Sequence, residues 1–118
     1  MTARELVERC RSEPHYQCLI NGFVDDFRRA GESDQRIMAE DAPATGGEFA
    51  GLVAAVVDAL CRECFRPVPG WAKSTRSPVP FFAFPATGYA LRVRLMLESP
   101  PPFKARNVFV PESYLSRA

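Results

Sequence analysis

The chain has 118 residues, of which 47% are hydrophobic and 25% are charged, and its net charge is +1. These values are typical of one globular domain that buries a core without the help of disulfide bonds or metal ions, and they exclude a low-complexity chain. No apolar run reaches the roughly 18 residues that a membrane span requires. The first eleven residues include Glu5 and Glu8 and lack the apolar centre of a secretory signal, so we expect a cytoplasmic protein.

Two helices are predicted in the first 30 residues. Thr2 and Glu5 have the spacing of a capping box, which predicts a helix over 2–11. Pro14 then begins a second helix, predicted over 14–30 and ended by Gly31. Its apolar positions recur with helical spacing, at Tyr16, Leu19, Ile20, Phe23, Val24 and Phe27.

The next helix is the strongest in the sequence. Residues 32–47 are polar and predict a loop with one short helical turn at Ile37 and Met38. Thr45 and Glu48 have the spacing of a second capping box, before a helix predicted over 46–65. Its broad apolar face consists of Phe49, Leu52, Val53, Val56, Val57, Leu60 and Cys64. Two amphipathic helices of this length are expected to pack together.

Prolines divide the second half of the chain. Residues 66–85 contain five prolines with Trp71 and three phenylalanines, which predicts an irregular segment whose aromatic side chains contact the core. Residues 86–98 fit a helix or an edge strand, and we favour the helix because a lone strand has no evident mate. Residues 103–110 are expected to be extended or looped, and Pro111 to begin a short helix over 111–117. The fold class predicted is therefore all-α, as a single helical domain over 1–118.

The four cysteines and the single histidine carry the metal and redox alternatives. Cys61 and Cys64 have C-x-x-C spacing, which suits a zinc site if Cys10, Cys18 or His15 supply the remaining ligands. The pair lies inside a helical pattern and lacks the βαβ setting of a redox motif, which favours reduced cysteines in the core. No cofactor or metal is predicted.

No catalytic constellation is evident. His15 and Cys18 suggest a thiolate–imidazole pair, but no third group to orient them is found nearby in the sequence. The adjacent carboxylates Asp25 and Asp26 point to different sides of one predicted helix, which favours solvated charges over a metal or glycosidase centre. We therefore expect a binding protein rather than an enzyme.

Charge is distributed unevenly along the chain. Residues 1–65 carry seven Lys and Arg against twelve Asp and Glu, whereas residues 66–118 carry eight against two. The basic residues of the second half alternate with aromatic ones; they are Arg92, Arg94, Lys104, Arg106 and Arg117, with Tyr89, Phe103, Phe109 and Tyr114. Such a pattern is consistent with plain surface charge. It also suits binding to an acidic protein, and equally suits nucleic acid as a regulator would require.

The C-terminal segment resembles a known pattern. It reads E-S-P-P-P-F-K-A-R-N-V-F-V from Glu98 to Val110 and ends in L-S-R-A at 115–118. This is similar to the S-P-x-P-F-[RK]-x-R-N-[IV]-F-V … L-S-R-A ending of small bacterial antitoxin-like proteins encoded beside nucleotidyltransferase-type toxins. The segment from Phe23 to Phe27 and the turn Pro69-Gly70-Trp71 fit the same group.

The resemblance implies an antitoxin-like protein that neutralises its toxin by direct binding, over the acidic metal site of that toxin. It defines no catalytic residue for this chain. The expected partner-binding residues are those of the basic half together with its anchoring aromatic; they are Arg92, Arg94, Phe103, Lys104, Arg106 and Asn107. Phe103 and Phe109 are also expected to anchor the tail, and Arg106 and Asn107 either to satisfy helix-end carbonyls or to reach a partner.

Overall fold

The computed structural model describes residues 1–82, 89–111 and 113–115, with the side chain of Tyr89 outside that description. The elements are α1 (Ala3–Ser12), α2 (Tyr16–Arg29), α3 (Glu32–Glu40), α4 (Glu48–Glu63), α5 (Gly70–Ser74), β1 (Phe81–Phe82), α6 (Tyr89–Glu98), α7 (Pro101–Lys104) and β2 (Val108–Phe109). The chain is mostly helical, which confirms the all-α class. No described helix has the length and apolar character that crossing a membrane requires.

Helix α4 is the centre of the fold. Residues 50–58 of this helix are all buried, and α1, α2, α5 and α7 pack around it. Gly51 lies so close to the segment after α5 that a Cβ atom would stand 2.5 Å from the backbone nitrogen of Ser77. The long apolar run of α4 therefore forms an interior helix, and its glycine permits close backbone approach.

The first two helices follow the prediction. The Thr2 hydroxyl accepts from the Glu5 backbone N–H while the Glu5 carboxylate accepts from the Thr2 backbone N–H, so the capping box is present. In α2, Ile20, Phe23 and Val24 are buried together with Phe27. Both helices pack against α4, as the matching apolar faces of α2 and α4 indicated.

The loop predicted over 32–47 is wrong in its first half, because Glu32–Glu40 form the nine-residue helix α3. Gly31 is its N-cap, and Glu32 and Asp34 in its first turn complement the helix dipole. Met38 is buried on its inner side. The polar outer face concealed the short apolar stripe, which tertiary packing stabilises.

The second capping box is also wrong. Helix α4 begins at Glu48 with Gly47 as its N-cap, and Gly47 has φ +121°. Because Thr45 lies outside the capping position, its side chain cannot serve the first turn. The backbone carbonyl of Thr45 instead accepts a hydrogen bond from Arg11 of α1 at 3.3 Å.

The proline-rich segment is more ordered than predicted. It contains the short helix α5, and the indole N–H of Trp71 donates to the Ala39 carbonyl at 2.8 Å. Strand β1 pairs in parallel with β2, with Phe81 opposite Val108 and Phe82 opposite Phe109. The aromatic contacts with the core were expected, and Phe84 lies outside the described residues.

The C-terminal predictions are mixed. Residues 89–98 form a helix, as favoured over the strand, and residues 86–88 lie outside the described part. The stretch 103–110 contains the end of α7 and strand β2 rather than only extended chain. The helix predicted over 111–117 is wrong where it is described, because residues 113–115 form a turn. That turn is held by the Tyr114 hydroxyl, which donates to the Gln17 side chain at 2.7 Å.

Candidate partner-binding surface

Helix α6 is attached to the molecule through one small apolar cluster. Its inward side chain, Leu95, is 4% exposed and packs with Phe109 and with the half-buried Phe82. This cluster is separate from the main core that surrounds α4. The Ser99 hydroxyl fixes the end of α6, since it accepts from the Val110 N–H at 2.8 Å. Of the other described side chains of α6, Val93 and Glu98 are half-buried and the rest are exposed.

The outward side of α6 is apolar. Val93, Met96 and Leu97 stand three and four residues apart and so share a helix face opposite Leu95. We call these three residues the α6 outer face. Leu97 is 73% exposed and Met96 is 46% exposed, whereas Val93 is half-buried. Exposed apolar side chains grouped on one helix face are typical of a protein-binding surface.

Cationic side chains border the α6 outer face. The Arg92 guanidinium lies 5.2 Å from the centre of the Phe82 ring, which is cation–π geometry. Arg94 is 77% exposed and pairs with Glu98 at 3.3 Å. The Lys104 ammonium donates to the Leu97 carbonyl at 2.9 Å and so neutralises the negative end of the helix dipole. The border carries three cations and one carboxylate.

The predicted partner-binding residues divide into two groups. Arg92, Arg94 and Lys104 are exposed beside the α6 outer face, where a partner can reach them. Phe103 is fully buried and meets the Tyr114 ring edge-on, with centroids 5.6 Å apart. It anchors the tail, as expected, and in this fold it is not part of the surface.

Arg106 and Asn107 act on the chain itself. Arg106 is 5% exposed and donates to the carbonyls of Ala72 and Pro102 at 2.9 and 2.8 Å. The Asn107 side chain donates to the Ser77 carbonyl at 3.3 Å, and its φ of +62° turns the chain into β2. Arg106 satisfies carbonyls of the helices α5 and α7, as predicted, whereas Ser77, the acceptor of Asn107, lies outside a helix. The burial of Arg106 removes it from the accessible surface.

The sequence analysis did not predict Asp58 as the counter-ion of Arg106. The Asp58 carboxylate of α4 is 5% exposed and accepts from Arg106 at 2.6 Å. It also accepts from Arg62 one turn later on the same helix. Asp58 interrupts an otherwise apolar run in α4, and a charge in such a run is a signal for a buried ion pair. The pair fastens α7 and α5 to α4.

The cysteines do not come together as a metal centre. All four thiols are free, with Cys10 and Cys61 buried and Cys18 exposed. Burial raises the pKa of Cys10 to about 11, and burial with the nearby Asp58 carboxylate raises the pKa of Cys61 to about 11. Within the described ranges, no three His, Cys, Asp or Glu side chains are placed to share a metal ion. His15 is exposed at the N-cap position of α2.

Comparison with protein-family models, with curated proteins and with solved structures found no match to this chain.

Proposed function

We propose that this chain is an antitoxin-like binding protein that neutralises a nucleotidyltransferase-type toxin by direct complex formation. The observation that carries the proposal is the α6 outer face with its border of Arg92, Arg94 and Lys104. The partner class comes from the C-terminal pattern, and the surface is of the kind that such a partner would need.

The chemistry of the surface favours an acidic partner over a second copy of the chain. Around a symmetric contact, each arginine border would face its own copy, and like charges oppose association. An acidic surface would instead pair with Arg94 and Lys104 while an apolar side chain covers Leu97. A toxin whose metal site is lined by carboxylates has that charge.

Most of the aromatic side chains that suggested nucleic-acid binding are buried. Of the four aromatics that alternate with the basic residues, Phe103, Phe109 and Tyr114 are buried, and the side chain of Tyr89 lies outside the described part. Single-stranded nucleic acid is held largely by bases stacked on exposed rings. We therefore keep this alternative as an outcome of the binding test.

The test is co-purification with the protein encoded by the adjacent gene, followed by growth on co-expression. We expect a stoichiometric complex and restored growth. Arg94→Glu should weaken the complex by about tenfold and reduce its salt dependence, because bordering charges steer association. Arg36→Glu is the matched control, since both arginines are highly exposed and both pair with a glutamate one helical turn later.

A second pair of variants tests the apolar contact. Leu97→Gln should weaken the complex by about ten- to a hundredfold, the usual cost of losing a buried apolar contact. Ile37→Gln is its control, because Ile37 is 60% exposed on α3 and lies outside the surface. Unimpaired toxicity with no complex would remove the antitoxin proposal. If Leu97→Gln and Ile37→Gln weakened the complex equally, the α6 outer face would not be the binding surface.

A further inference from the structure

A cleft opens on the side of α4 that carries the Asp58–Arg106 pair. Its walls are the end of α4, the segment that follows α5, and the turn after α7, and its volume is about 430 Å³. It continues as a second hollow over Pro101 and Pro102. We call it the cationic cleft, because Arg62, Lys73 and Arg76 line it together with the buried pair.

The cleft has an excess of positive charge. Asp58 is its single described carboxylate, and Arg106 neutralises that group from within the protein. Arg62 donates to Asp58 through Nε, and its two terminal nitrogens form no hydrogen bond with any described residue. Lys73 and Arg76 are exposed and form no ion pair with any described residue. Four cations therefore line the cavity against one carboxylate, which leaves an excess of three positive charges.

We propose that the cationic cleft binds a small molecule carrying phosphate groups, held by Arg62, Lys73 and Arg76. Guanidinium groups bind phosphate oxygens in pairs, and lysine supplies a further point charge. Three cations match the two or more negative charges of a phosphate ester or pyrophosphate better than the single charge of a carboxylate. This site would act independently of the partner protein.

The phosphate is the part of the ligand that the cleft recognises. Thr75 also lines the cavity, but its hydroxyl already donates to the Trp71 carbonyl, so it offers only acceptor capacity. No aromatic side chain stands among the described lining residues, so a base would find nothing on which to stack. The cations supply the donors that remain for a ligand.

The buried pair makes the site rigid. Arg106 joins Asp58 of α4 to the Ala72 carbonyl of α5, so two walls of the cleft are fixed before any ligand arrives. Preorganised donors bind more tightly than donors that must first be ordered. The cations also lie around one cavity rather than along a track, which favours a compact ligand over a nucleic-acid strand.

The experiment is calorimetric titration of the full chain with pyrophosphate, with amide chemical shifts recorded in parallel. We expect saturable binding below about 1 mM, with shifts confined to α5 and the segments around residues 62 and 106. Lys73→Gln with Arg76→Gln should raise the dissociation constant by about tenfold or more, since each charge-assisted hydrogen bond lost costs about tenfold. Both side chains are exposed, so the variant should keep its fold.

The control is Arg29→Gln with Arg36→Gln, which removes the same charge from exposed positions on α2 and α3. It should bind pyrophosphate as the parent does. No saturable binding, or an equal loss in the control, would overturn the site. Affinity that rises steadily with the length of a single-stranded oligonucleotide and exceeds that for pyrophosphate would overturn the small-molecule assignment in favour of nucleic acid.

Discussion

Replacing Arg106 by methionine should remove much of the stability of this fold. The substitution keeps the bulk of the side chain but leaves Asp58, itself 5% exposed, with only the surface residue Arg62 as a counter-ion. Removing one member of a buried ion pair costs about 3–5 kcal/mol of unfolding free energy. The carbonyls of Ala72 and Pro102 lose their donor as well, which adds to the cost.

This loss is large beside the whole stability of a domain, which is about 5–15 kcal/mol. For a chain of this size it corresponds to a fall in Tm of about 10–20 °C. Urea unfolding can follow it through Trp71, the one tryptophan of the chain, whose indole donates to the Ala39 carbonyl. With a slope of about 1.5 kcal/mol/M, the urea midpoint should fall by about 2–3 M.

Two further variants test whether the Asp58–Arg106 pair accounts for the loss of stability. Arg62→Met removes the exposed partner of Asp58, 68% exposed, and should cost at most about 1 kcal/mol. Adding Asp58→Leu to Arg106→Met removes the uncompensated charge and should restore part of the loss. If Arg106→Met cost no more than Arg62→Met, the pair would not be the element that fastens α7 and α5 to α4.

Three shorter predictions test other parts of the structure. Gly51→Ala should lower the unfolding free energy by about 1–3 kcal/mol in urea titrations, because the added Cβ would overlap the backbone of Ser77. Gly22→Ala is the control: a Cβ there would have nothing within 4 Å, so the unfolding free energy should rise by up to about 1 kcal/mol. A thiol reagent followed by mass spectrometry at pH 8 should label Cys18 first and Cys10 and Cys61 last, because burial raises the pKa of both buried thiols to about 11 and leaves little thiolate. Rapid labelling of Cys10 or Cys61 would contradict its placement. Phe65→Gly should stabilise the chain by up to about 1 kcal/mol by thermal melting, because Phe65 has φ +58° and is 93% exposed, and a clear loss would show that the ring has a contact of its own.

The candidate surface was only partly readable in the sequence. Arg92, Arg94 and Lys104 are predicted to bind a partner and are exposed beside the α6 outer face, but their charge pattern is the same as that of Arg106. Arg106 is buried because Asp58, 48 positions earlier in the chain, approaches it in the folded state. A local pattern holds no information on such a distant counter-ion. The cationic cleft was missed for the same reason, since Arg62 and Arg76 come from separate elements.

Local sequence patterns were enough to predict the helices α1, α2 and α4. The spacing of apolar residues determined α2 and α4, and the Thr2–Glu5 capping box determined the start of α1. These are interactions between residues a few positions apart, so the sequence contains both partners in one window.

Helix α3, the pairing of β1 with β2 and the burial of individual cations depend on tertiary contacts. Helix α3 and the pairing of Phe81 with Val108 exist because other elements cover them, and neither has a strong local signal. Which cations face solvent and which are buried was decided in the same way. The burial of a residue depends on which elements pack against it from elsewhere in the chain. A carboxylate such as Asp58 is stable in the interior only when a cation from a distant part of the chain pairs with it.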